Sequence, residues 1–226
     1  YSIYHGKRES KPMFGIKQKI KAAAQDIRTA LYLKTLPNSI VRFKTREDLI
    51  STFKPQGTGC ELGVHRGFFS ESLLKFTNPK TLYLVDPWPG GAEILNHAID
   101  LSSNRKLDSI EGEECYREVL KKFGTNINIK IERKYSEVFL NSLPDHSLDW
   151  IYIDSTHTYN STKKELQLAE KKVKPDGIIA GHDYCYMFKG VLRAVDEFAK
   201  EHDWKLSGVT TKEKINPSFL LRKIKN

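Results

Sequence analysis

Apolar positions along this chain follow two periods that alternate. Short runs rich in Val, Ile, Leu, Tyr and Trp, of strand length, are separated by stretches in which apolar residues recur every three or four positions. The clearest strand is LDWIYID over 148–154; TLYLVDPW over 81–88 is a second buried run and 57–64 a third. Shorter β-patterned runs fall at 128–133 and 177–180, and 205–209 with 219–224 reads as a closing antiparallel pair. Between them the helical period predicts helices over 45–53, 69–76, 111–123, 136–143, 161–172 and 190–202. The polar stretch from 89 to about 109 has no clear period, which marks it as a loop or lid. Regular alternation of strand and helix calls for a mainly parallel sheet covered on both faces, the doubly wound α/β class.

Ahead of this alternation, Ile16, Ile20, Ala23, Ile27 and Leu31 recur at helical spacing with Lys17, Lys21, Gln25 and Arg28 between them. They predict an amphipathic helix over about 14–33, broken by Pro37 and Asn38. Charge changes with it. Of a formal net +9, residues 1–54 hold twelve Lys or Arg against four Asp or Glu, while the remainder holds twenty-five against twenty-four. The chain therefore divides into a basic helical extension, 1–43, and one α/β domain, 44–226. Either the apolar stripe of the extension packs on the domain, or its basic face meets nucleic acid, acidic lipid or an anionic substrate. Aromatic and basic residues are not interleaved in it, which argues against nucleic acid. No run of ~18 apolar residues is present, and the basic start lacks the apolar core of a secretion signal, so a cytoplasmic protein with no transmembrane segment is expected. Cys60, Cys115 and Cys185 are odd in number, far apart and form no C-x-x-C, which indicates neither a disulfide framework nor a zinc site and suits reduced thiols. Because residue 1 is Tyr1, a trimmed chain or one domain of a longer polypeptide is expected.

The chemistry concentrates where strands end. In GTGCELGVHRGFFS, 57–70, a strand runs into Glu61, and Gly63 and Gly67 open a loop leading to a helix. That is the layout of a nucleotide-type cofactor site at the carboxyl edge of a sheet. A dinucleotide turn needs G-x-G-x-x-G beside a pyrophosphate. Acidic-x-Gly-x-x-x-Gly instead suits a cationic ligand with an ammonium group and hydroxyls, and S-adenosylmethionine presents all of these. Asp86 ends the second strand and offers two acceptor oxygens to vicinal hydroxyls. Asp154-x-x-His157 ends the fourth strand, and Asp183, in GHDY, ends the fifth, so two adjacent strand ends bring oxygen ligands to one crevice. Oxygen-only ligands with water favour Mg²⁺; alternatively Asp154 and Asp183 cap the helices that follow and His157 is a surface histidine. Tyr159, Tyr184, Tyr186 and Trp88 fall at strand ends, where aromatic faces would line an acceptor pocket. Tyr152 and Phe198 read as core.

Together, ELGVHRG, Asp86, LDWIYIDSTHTY and KPDGIIAGHDY resemble the class I S-adenosylmethionine-dependent methyltransferases, in the branch of small-molecule and sugar O-methyltransferases, over about residues 44–224. The resemblance implies a Rossmann-like sheet of seven strands with an antiparallel last strand. It places Glu61, Gly63 and Gly67 under the methionine portion of the cofactor, Asp86 on the ribose, and Asp154 at the same cofactor edge. Ser136 would contact the adenine, or else cap a helix. The tail of the fourth strand is similar to the metal-dependent macrolide-sugar enzymes, which implies Asp154 and Asp183 as Mg²⁺ ligands and His157 as general base. One departure is His182 immediately before Asp183; in a mechanism without metal, Asp154 or His182 is left to orient the base. The expected activity is O-methylation of a small polar acceptor, with a sugar or glycan hydroxyl foremost. The alternatives are an RNA methyltransferase using the basic extension, and a non-catalytic cofactor-binding or interaction module.

Overall fold

The computed structural model describes residues 14–88, 99–100, 105–106, 109–212 and 216–224. Helix α1 (Phe14–Thr35) leads into strand β1 (Val41–Phe43) and the short helix α2 (Arg46–Ile50). The alternation follows as β2 (Thr58–Leu62), α3 (Phe68–Thr77), β3 (Thr81–Val85), the two-residue strands β4 (Ile99–Asp100) and β5 (Arg105–Lys106), and α4 (Ser109–Phe123). It continues with β6 (Ile129–Glu132), α5 (Ser136–Ser142), β7 (Leu148–Ile153), α6 (Tyr159–Lys172), β8 (Val173–Gly181), α7 (Lys189–Glu201), β9 (Trp204–Thr210) and β10 (Phe219–Lys223).

Eight strands form one sheet in the order β1-β9-β10-β8-β7-β2-β3-β6. Strand β10 runs antiparallel between β8 and β9, and every other pairing is parallel. The seven expected strands with one reversed are present, in a Rossmann-like α/β fold. The eighth, β1, adds to the edge with Val41 opposite Gly208. Three residues are too few to show a period of two, and these lie within the segment read as extension. Within the 89–109 stretch, β4 pairs with β5; the rest of the expected lid lies outside the described residues.

Sheet strands covered on both faces carry apolar side chains on both, and all six residues of β7 are buried accordingly. On one face Phe139, Leu140, Leu166, Ala169, Val195 and Phe198 from α5, α6 and α7 pack against the strands. On the other, Leu49, Ile50, Leu73, Val119 and Phe123 from α2, α3 and α4 do so. Local chemistry sets the helix starts. Thr45 and Asp48 form a capping box on α2, and the Thr158 hydroxyl accepts the Ser161 N–H at the start of α6.

Helix α1 forms over nearly the expected span but turns the other way. Its apolar stripe does not pack on the domain: Ile20, Ile27 and Leu31 are 64%, 62% and 57% exposed, while Thr29 and Leu33 are buried. Polar anchors select the inward face. The Tyr32 hydroxyl donates to Asp196 Oδ2 at 2.8 Å, Thr29 Oγ1 accepts the Tyr186 N–H at 2.9 Å, and Arg42 donates to the carbonyls of Leu33 and Leu36 at the helix end. The carbonyl caps satisfy groups the helix itself leaves unpaired.

Candidate active site

Parallel strands β2, β3, β7 and β8 end at one edge of the sheet, and the candidate residues gather there. After β2 the chain turns at Gly63, with φ of 87°, and a Cβ at this position would lie 2.0 Å from the Asp154 carbonyl oxygen. The Gly63 N–H donates to Val85 O, and the Asp154 N–H donates to Leu62 O at 2.7 Å. Gly67, with φ of 72°, is the N-cap of α3 and faces the Phe123 ring, 2.7 Å from where a Cβ would sit. Both glycines thus allow close approach of protein to protein and hold the loop against β7 and α4.

Asp86 ties this loop to β3. Its Oδ2 accepts the N–H groups of Val64 and His65, both at 2.9 Å, and its Oδ1 accepts the Trp88 N–H at 2.7 Å. Burial raises its pKa and the three amides pull against that. With Oδ2 carrying two donors, Oδ1 keeps acceptor capacity for a ligand hydroxyl. Trp88 is buried and donates Nε1–H to His65 O at 2.7 Å, so it braces the loop from inside. Glu61 is buried, with the Ser70 hydroxyl donating to it; burial raises its pKa well above the usual carboxylate range, and the Asp154 and Asp86 charges add to this. Ser136 is the first residue of α5, follows the N-cap Tyr135, and is hydrogen-bonded to the buried Glu165.

Beyond β7 and β8 lies a cluster of opposite charges. His157 Nε2 is 2.6 Å from Asp183 Oδ2 and 3.9 Å from Asp154 Oδ1. His182 Nδ1 is 3.3 Å from Asp183 Oδ1 and 3.6 Å from Asp154 Oδ1. Neither aspartate caps a following helix, since Thr158 and Phe188 hold those positions. Asp183 adopts φ of 61°, is buried, and accepts Asn216 Nδ2–H at 2.5 Å. Burial alone would lower the pKa of His157, but Asp154 and Asp183 outweigh it and push it up to about 10. The histidines in turn hold both carboxyl groups below their ordinary range despite burial. The same carboxylates push His182 up to about 9 against burial. Yet Arg46 Nη2, which has only protons to give, lies 3.2 Å from His182 Nε2. That nitrogen must accept, so we take the ring as neutral in this arrangement, its proton on Nδ1 facing the aspartates.

Two members of this cluster carry no motif. Arg46 on α2 stacks over Phe69 at 4.5 Å and reaches 3.9 Å from Asp154 Oδ2; Asn216 arrives from the turn before β10. The fold alone brings them in. Beside the two expected oxygen ligands stands a nitrogen: ligand atoms of Asp154, His182 and Asp183 all lie within 4.8 Å of one another. Carboxylate–imidazole–carboxylate is a donor set that fits a divalent cation of the Mg²⁺, Mn²⁺ or Fe²⁺ kind. Among the expected lining aromatics, Tyr184 is wholly buried with its hydroxyl on Asp196, and Tyr186 packs edge-on against Tyr32. Tyr159 is half-buried, its hydroxyl on Glu197 and the Arg193 guanidinium 4.6 Å from its ring centre. Tyr152 and Phe198 are core, as expected.

A family model for a methyltransferase domain matches residues 60–184, from within β2 through Tyr184. The chain belongs to that family. Solved structures share the fold of this methyltransferase domain. A Corynebacterium glutamicum protein aligns with a TM-score of 0.56 at 10% identity, over 96% of this chain and 93% of its own. A Streptococcus mutans protein assigned as a methyltransferase and solved with SAH gives 0.55 at 12% identity, over 79% and 96%. A SAM-dependent methyltransferase from Aquifex aeolicus gives 0.51 at 16% identity, over 76% and 84%. No curated protein sequence matches the chain.

Proposed function

We propose that this methyltransferase domain binds S-adenosylmethionine and methylates a hydroxyl of a small polar acceptor, with a sugar or glycan as the substrate class. The observation that carries the reading is the His157–Asp183 contact of 2.6 Å, set beside Asp154 and the Gly63 loop at the ends of β7 and β8. A sulfonium donor supplies an already activated methyl group. The protein then has to align the acceptor and remove its proton.

Cofactor contacts are assigned to the Gly63–Gly67 loop, to Asp86 through Oδ1, and to the edge formed by Glu61, Asp154 and Ser136. Asp86 qualifies because Oδ1 still accepts while Oδ2 is engaged by the loop amides.

His157 is the proposed general base. With Nε2–H donated to Asp183 Oδ2, the lone pair of the neutral ring is on Nδ1, and Asp183 fixes the tautomer and orientation. The two aspartates also favour the imidazolium, so removing part of their charge is what makes the ring an acceptor near neutral pH. Asp154, Asp183 and, once its Nδ1 proton is released, His182 would hold a divalent cation, which would offset that carboxylate charge and acidify an acceptor hydroxyl. Arg46 and His157 neutralise the same carboxylates in the arrangement described. Without metal, Asp183 still orients the base, with Asp154 Oδ1 3.9 Å from the same ring nitrogen.

A transfer screen with labelled S-adenosylmethionine over sugars, glycans, catechols and RNA, with Mg²⁺, Mn²⁺ or chelator, tests the reading. Label on a sugar hydroxyl, lost in chelator, is the expected result. Label confined to RNA would overturn the acceptor class. Cofactor binding with no transfer to any acceptor would favour a non-catalytic module.

A further inference from the structure

The outward face of α1 has no role in the reaction just described. Ile20, Ala24, Ile27 and Leu31 follow one another at steps of four, three and four, so they lie on one line of the helix. Single exposed aliphatics are ordinary on a protein surface. Here the three large ones of one stripe are each more than half exposed, and a contiguous apolar strip of this kind marks an interaction surface. Lys19, Lys21, Arg28 and Lys34 stand exposed around it, and Asp26 is the one acidic residue of α1.

We infer that this face docks on an anionic phospholipid surface, with α1 lying along the interface. Ile and Leu enter the boundary of the acyl chains while Lys and Arg meet headgroup phosphates, the division of labour of an interfacial amphipathic helix. A second copy of the chain fits less well: helix pairing across an apolar seam is favoured by acidic partners at the flanks, and here Lys21, Arg28 and Lys34 would face their own kind. A nucleic acid would leave the aliphatic stripe unused. Docking needs no rearrangement, because Thr29 and Tyr32 already fix the opposite face to Tyr186 and Asp196. The charge of the region points the same way, with twelve basic against four acidic residues over 1–54. No helix among the described residues is long and apolar enough to cross a membrane, so the contact is peripheral.

Co-sedimentation of the full chain with vesicles tests this, using phosphatidylcholine alone and an equal mixture of phosphatidylcholine and phosphatidylglycerol. Partitioning should favour the mixed vesicles and fall about tenfold or more in high salt. The double variant Ile27→Asn/Leu31→Asn should lose about tenfold or more of the binding, because the apolar contact is gone. Its melting temperature should be unchanged, since both side chains are already exposed. Should that variant fail to fold, Lys21→Glu/Arg28→Glu must show the same loss. Equal partitioning to neutral and anionic vesicles would overturn the inference, as would undiminished binding in a folded double variant. So would a dimer in sedimentation equilibrium that the double substitution dissolves, or RNA competing the protein off the vesicles with no dependence on Ile27 and Leu31.

Discussion

Gly63 shows how closely the cofactor loop and the catalytic edge are bound to one another. Its φ of 87° is unfavourable for any side chain, and a Cβ would sit 2.0 Å from backbone that cannot move without shifting Asp154. Gly63→Ala should therefore cost about 1–3 kcal/mol or more and lower the melting temperature by several degrees, together with loss of methyl transfer; an unchanged melting curve would contradict the close approach. At Asp86 the sequence pointed to a ligand carboxylate, and the structure adds three backbone amides of its own. Asp86→Ala should weaken S-adenosylmethionine binding in calorimetry by about tenfold or more, since a charge-assisted hydrogen bond contributes roughly 1.5–3 kcal/mol. It should also lower stability, because the amides of Val64 and His65 lose their acceptor. Unchanged affinity would remove Asp86 from the cofactor site. Motif residues such as Glu61, Asp154 and Asp183 were legible because strand ends can be read from apolar runs. Arg46 and Asn216 were not, because tertiary packing brings them in from segments that carry no chemical signature.

Glu165, on α6, couples that helix to the loop after β7. It is buried, and Ser155 Oγ lies 2.6 and 2.7 Å from its two oxygens. Burial raises its pKa from 4.5 to about 7, against the hydrogen bonds from Ser155 and Ser136. A carboxyl group raised in the folded state contributes stability that is full below about pH 4.5 and is lost as pH rises through about 7. Glu165→Gln keeps the shape without the ionisation, so it should flatten this fall and gain up to about 3 kcal/mol at pH 8 relative to pH 4.5. Urea midpoints for both proteins across that range check it, and parallel pH profiles would contradict it. Element types were mostly readable, because the near-continuous apolar run of β7 and the three-to-four-residue period of α7 both survive in the sequence. The orientation of α1 was not: its strongest apolar stripe faces outward while Thr29 and Tyr32 anchor it, and hydrogen-bonding partners on Tyr186 and Asp196 leave no periodic trace. Strand β1 escaped for want of length.

The strand order of the whole sheet makes the site. Placing β7 between β2 and β8 brings the Gly63 loop, Asp154 and Asp183 to one edge, and the reversed β10 delivers the turn that carries Asn216. The alternation of elements announces a mainly parallel sheet, and the family resemblance its seven strands with a reversed last one. The order itself is set by pairing between distant segments, and the acceptor class, which depends on side chains gathered from several of them, was open in the sequence. The central claim is that this edge transfers a methyl group with His157 as base, and its most direct measurement compares turnover of the wild type and His157→Ala. Labelled S-adenosylmethionine and the sugar acceptor found in the screen would be used, with S-adenosylmethionine affinity measured alongside by calorimetry. The account predicts a kcat lower by roughly 10² to 10⁴, the usual effect of a lost general base, with cofactor affinity changed by less than about twofold, since the base acts mainly in the transition state. Full turnover in His157→Ala with intact cofactor binding would contradict it.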